Sequence, residues 1–150
     1  MRSWRLFVAL AAVVGLAYMA VLTGCSPAAK LVGTWEVDIP AAQEKLKGDP
    51  LALVAGPILS GLKLNLTFQG DGNCTVDGTF LGQSKTVKGS WRFVKEEGTT
   101  LLLMVKLENE ASEREMKVVF VDNDHIEAIP PTGISPVGPA LTFPFVRKKP

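Results

Sequence analysis

Histidine, tyrosine and cysteine are scarce in these 150 residues: one His, one Tyr and two Cys. A single imidazole excludes any metal centre built on two histidines. His125 stands among Asp122, Asp124 and Glu127, but Asp-Asn-Asp is ordinary turn composition and its spacing fits no calcium loop, so no metal is assigned. There is no Gly-x-Ser-x-Gly and no glycine-rich phosphate loop. The paired acids Glu96-Glu97 and Glu113 and Glu115 fall in turns or on strand faces directed at solvent. No catalytic residue and no cofactor follow, and an enzyme is not expected. An excess of one charge is missing too. Sixteen Lys and Arg face fifteen Asp and Glu, and so balanced a chain has no electrostatic case for nucleic acid.

What the chain does have is a charge-free start. Met1 to Arg5 is short and basic, and no charge follows from Leu6 to Ala29. A basic segment, an apolar run and small residues at a cleavage point read as a secretory signal peptide. A membrane-spanning anchor is the competitor, because the run approaches the ~18–20 residues that cross a bilayer. Leu22-Thr23-Gly24-Cys25 closes the run and resembles the lipobox of bacterial lipoproteins, with Cys25 at the lipid-accepting position. The resemblance implies residues 1–24 as signal peptide and acyl chains on Cys25. Residues 25–30 become a lipidated tether, and a globular domain fills 31–150. Several acyl chains anchor stably where one gives marginal binding. Ser26 is permissive for the outer membrane under the sorting rule of Gram-negative lipoproteins, which places the domain in the cell envelope facing the periplasm. Loss of Arg2 and Arg5 leaves 14 basic against 15 acidic residues. Cys74 is then the one thiol, a small apolar side chain with no disulfide partner.

From residue 31 onward the dominant period is two. Leu62, Leu64, Leu66 and Phe68 alternate with Lys63, Asn65, Thr67 and Gln69, the pattern of a half-buried strand. Gly70-Asp71-Gly72 reads as a hairpin turn. Cys74, Val76 and Phe80 resume the apolar side. Turns are expected at Gly82-Gln83, Glu96-Glu97-Gly98, 108–113 and 122–124, separating strands at Val87–Phe93, Thr99–Leu107, Arg114–Val121 and His125–Ile129. Leu141, Phe143 and Phe145 close the series, and Leu31–Ile39 opens it. About eight short strands with tight turns predict a mainly β domain, an antiparallel up-and-down barrel whose closure removes exposed edges.

Two stretches break the rhythm. Ala41 to Leu59 turns helical in composition, with Asp49 before Pro50 as a helix start. Two short helices broken at Gly48 are expected, the second interrupted near Gly56-Pro57, with Leu46, Leu51, Val54, Ile58 and Leu59 facing the protein. Residues 130–139 hold four prolines and two glycines, a composition that neither pairs in a ladder nor continues a helix.

Leu-Val-Gly33-Thr-Trp35-Glu-Val resembles the opening of lipocalins and of bacterial lipocalin-like domains, and Gly89-Ser-Trp91 is a second Gly-x-Trp. The resemblance implies an eight-stranded barrel with Trp35 closing one end, Gly33 bending the strand, and Arg147 stacked on Trp35. Pro144 departs from the plain pattern and questions regular closure at the last strand. Eight strands enclose either a filled core or room for one small ligand. The ligand-facing candidates are Leu64, Leu66, Phe68, Phe80, Trp91, Phe93, Leu103, Val105, Met116, Val118 and Phe120, with Val76 on the same inward side. They are apolar, so a cargo would be a small apolar molecule. The alternative is a non-enzymatic envelope protein, an inhibitor or assembly partner, acting through the 130–139 loop or the helical insert.

Overall fold

The computed structural model describes residues 26–48, 50, 56, 57, 59–129 and 142–149. Eight strands, β1 (Gly33–Val37), β2 (Lys63–Phe68), β3 (Asn73–Phe80), β4 (Gln83–Glu97), β5 (Thr100–Leu107), β6 (Arg114–Phe120), β7 (His125–Ile129) and β8 (Phe143–Arg147), form a closed barrel in sequential order. Every neighbouring pair is antiparallel, including the closing pair β1–β8, where Trp35 faces Arg147. The expected fold class is therefore the observed one. Pro144 does not prevent closure. It sits in β8 with both neighbours in register, and its carbonyl accepts the Asp38 N–H at 2.9 Å.

The alternating apolar residues point inward because each strand has one face on the core and one on solvent. Trp35, Val37, Leu66, Phe68, Cys74, Trp91, Leu101, Leu103, Val118, Ile126, Ala128 and Phe145 form one continuous buried cluster. Among the described residues no polar or charged residue is buried.

Strand ends differ from the expectation in places. β1 is shorter than Leu31–Ile39: Leu31 belongs to a 3-10 turn, Pro27–Leu31, and Ile39 already starts a helix, α1 (Ile39–Lys45). The helix starts early because Asp38 caps it, its Oδ1 accepting the Ala41 N–H at 3.0 Å, with Pro40 in the first turn. The β3–β4 turn falls at Leu81-Gly82, both at positive φ (50° and 79°), as a two-residue hairpin of right-handed strand twist requires. β4 runs fifteen residues, pairing with β3 through its first half and with β5 through its second, with a bulge between Phe93 and Lys95. Gly56, Pro57, Leu59 and Ser60 have helical backbone. Leu46 and Leu59 are buried together with Ala42, against Leu62. Asp49, Leu51, Val54, Ile58 and the 130–139 loop lie outside the described residues, as do residues 1–25.

Candidate functional site

The site to consider is the barrel interior and the two ends that bound it. Strand directions sort the connections. At the end where β1 begins, the links are short: residues 69–72, 98–99 and 121–124. At the other end the chain leaves and rejoins the sheet between Val37 and Lys63, Phe80 and Gln83, Leu107 and Arg114, and Ile129 and Phe143.

The first end is sealed. Trp35 is completely buried, and its Nε1–H donates to the Leu31 carbonyl at 2.8 Å. This bond ties the 3-10 turn beneath the barrel, where Ala28 and Leu31 are also buried. The Arg147 guanidinium carbon lies 4.2 Å from the Trp35 ring centroid. Its Nη1 and Nη2 donate to the Val32 and Lys30 carbonyls at 3.0 and 2.5 Å, its Nε donates to Asn123 O at 3.3 Å, and Asp124 lies 3.7 Å away. One cation thus satisfies carbonyls of the 3-10 turn and of the β6–β7 turn while stacking on the indole, a contact worth about 0.5–2 kcal/mol. Gly33 makes room for it. Its φ is +136°, and a Cβ there would stand 2.9 Å from Arg147 Nη1. Gly33, Trp35 and Arg147 thus come together at this end of the barrel.

The second Gly-x-Trp works differently. Trp91 donates from Nε1 to Gln69 O at 3.0 Å and meets Phe68 edge-on, with centroids 5.4 Å apart. Gly89 answers to its neighbour strand, because a Cβ would come within 2.4 Å of the Lys106 carbonyl oxygen. No relaxation of a flexible side chain relieves a clash with backbone.

Burial falls away from the sealed end along strand after strand. On β2, Phe68 and Leu66 are buried and Leu64 is partly open. On β3, Cys74 is buried and Val76 partly open. On β5, Leu101 and Leu103 are buried and Val105 partly open. β6 repeats this with Val118 and Met116, and β8 with Phe145 and Phe143. Leu64, Val76, Val105, Met116 and Phe143 all pack against the core while keeping access to solvent. They form an apolar ring one step inside the far mouth. Arg114, one further inward position along β6, is paired with Glu110 at 3.1 Å, so the rim carries a matched charge pair.

The eleven ligand candidates therefore divide. Leu66, Phe68, Trp91, Leu103 and Val118 are floor and core. Leu64, Val105 and Met116 belong to the ring. Phe93 and Phe120 are partly buried near the sealed end, Phe120 edge-on to Trp35 at 6.2 Å. Phe80 keeps the inward register of β3 but lies beside the hairpin tip, 40% exposed, beyond the interior. Phe143 was in phase with Phe145 and belongs in the ring, although it was not among the candidates. Ile126 and Ala128 were missed because a five-residue strand offers too few alternations to show a face.

A recess of about 570 Å³ opens elsewhere. It is lined by Gln69, Asn73, Lys88, Ser90, Lys106 and Glu108, exposed residues that alternate with inward Cys74, Gly89 and Leu107. It lies on the outer wall and is polar, unsuited to an apolar guest. Burial raises the pKa of the Cys74 thiol, so it stays protonated and unreactive at neutral pH.

Near the sealed end, Asp122 accepts the N–H groups of Asp124 and His125 and pairs with the His125 ring at 2.8 Å. The Asp124 N–H, then the His125 side chain, hold its carboxyl below the usual range. Among the described residues no group of three or more His, Cys, Asp or Glu is placed to hold a metal ion. No family model, no characterised protein and no solved structure matches this chain.

Proposed function

We propose that the chain is a membrane-anchored lipoprotein whose lipocalin-like barrel binds a small apolar ligand, with no enzymatic activity. The ring of Leu64, Val76, Val105, Met116 and Phe143 carries this reading: apolar side chains that face inward and still reach solvent, above buried Leu66, Phe68, Leu103 and Val118. An apolar guest entering there gains about 25 cal/mol per Å² of surface removed from water, and the inward-facing charge at the rim, Arg114, is already paired with Glu110. The anchor rests on Leu22-Thr23-Gly24-Cys25, with acyl chains on Cys25 holding the domain in the envelope, at the outer membrane in a Gram-negative host.

Native mass spectrometry of the purified protein tests the cargo. A small molecule that is retained in the native spectrum and lost on denaturation is the expected result. No adduct, together with no response of a fluorescent fatty-acid probe, would defeat the carrier reading. For the anchor, Cys25→Ser is expected to release the protein from membranes and abolish palmitate labelling. Unchanged membrane retention would mean that the apolar segment stays in place as a helix.

A further inference from the structure

We infer that the Trp35 end of the barrel rests on the lipid surface, so that the apolar mouth opens away from the membrane that holds the protein. This rests on the reading of Cys25 as the acylated residue. The link is too short for any other arrangement. Ser26 alone separates Cys25 from Pro27, and Ser26 is already engaged, its carbonyl accepting the Ala29 N–H at 2.8 Å. Pro27–Leu31 is fixed beneath the barrel through buried Ala28 and Leu31, the Leu31–Trp35 hydrogen bond and the carbonyls held by Arg147. Two residues reach at most about 7 Å, so the acyl attachment starts within that distance of Pro27. The opposite mouth lies some 20 Å away, given eight-residue strands rising about 3.3 Å per residue and tilted by about 40°.

The face that this presents suits phospholipid. Val121 is 62% exposed and Val32 37%, on segments that Arg147 joins through Asn123 O and Val32 O. Exposed Lys30, Lys148 and Lys149 belong to the same end. Among its acids Asp122 pairs with His125, Asp124 with Arg147 and Glu97 with Lys95, while Asp71 bonds Asn73 and Glu96 is exposed. Exposed valines beside Lys30, Lys148 and Lys149 suit an interfacial position at the headgroup layer. The functional consequence is that cargo arrives from the aqueous side or from a facing donor, and not directly from the host bilayer.

The test uses the acylated full-length protein in a Cys74→Ala background, with a fluorophore on Val121→Cys or Leu81→Cys. It is bound to vesicles of phosphatidylethanolamine and phosphatidylglycerol carrying a headgroup-level quencher. The expected result is loss of fluorescence at position 121 and none at 81. A flexible Gly-Ser insertion between Ser26 and Pro27 should restore fluorescence at 121 while the protein stays bound. Equal quenching at both positions, or none at 121, in protein whose mass carries the acyl chains would overturn the orientation alone. A mass without acyl chains on Cys25 would overturn the anchor, and the orientation with it.

Discussion

The two ends of this barrel are made from the same strands and differ in almost every physical respect. The Trp35 end has short turns, a docked 3-10 turn, and a buried indole covered by Arg147. Toward the far end Leu64, Val76, Val105, Met116 and Phe143 are only partly covered. The difference teaches where burial is concentrated. Packing that excludes water contributes folding energy, whereas a binding mouth must leave apolar surface uncovered until its guest arrives. Under the proposed function the two demands are separated along the barrel axis.

The largest effect should come from breaking the sealed end. Trp35→Ala removes a fully buried aromatic and is expected to cost about 3–5 kcal/mol, much of the 5–15 kcal/mol typical of a domain. Denaturant unfolding measures it, and a loss under about 1 kcal/mol would mean that the seal does not stabilise the fold.

Next come matched truncations on two levels. Leu103→Ala in the floor should cost about 2–5 kcal/mol, while Met116→Ala in the ring should cost roughly 1 kcal/mol, its side chain being only partly withdrawn from water. Binding should reverse that order: Met116→Arg, tolerated near solvent, is expected to abolish uptake of a fatty-acid probe, while Leu103→Ala keeps it. Equal stability losses at the two levels would erase the distinction between floor and mouth.

Arg147→Lys is expected to lower stability by about 1–3 kcal/mol. The ammonium keeps the charge but cannot reach several carbonyls at once or stack as a plane, and each hydrogen bond lost is worth about 0.5–1.5 kcal/mol. Full retention of stability by Lys would show that charge alone matters there.

The smallest effect is electrostatic. The folded-state pKa of Asp122 is depressed, first by the Asp124 N–H and then by the His125 side chain. Its contribution is therefore present above the unfolded carboxylate pKa, roughly 4, and is lost as pH falls through the lower folded value. Asp122→Asn should unfold at slightly lower temperature than the parent at pH 7, and the two should converge in strong acid. A gap that widens on acidification would contradict this assignment.

The sealed end was the more legible in the sequence. Leu62 to Gln69 alternates so cleanly that strand, facing and turn follow from it. Other parts were hidden for physical reasons. Leu31 and Ile39 extend the apolar pattern of β1, yet the Asp38 cap and the docking of Leu31 under Trp35 assign them to other elements. Phe80 has the right phase but the wrong height, because alternation reports which side of a strand a residue occupies and not how far along the barrel axis it lies. The graded burial from Phe68 to Leu64, or from Val118 to Met116, depends on strand stagger around the closed sheet, which no single strand encodes. The need for glycine at position 89 depends on the approach of the Lys106 carbonyl and is likewise a property of the pair.

The most direct test is a methyl- and aromatic-resolved NMR titration of the barrel with a fatty acid. The division into floor and mouth predicts shifts at Leu64, Val76, Val105, Met116 and Phe143, with Leu101 and Trp35 nearly still. Shifts confined to the outer wall around Lys88 and Lys106, or none at saturating ligand, would contradict it.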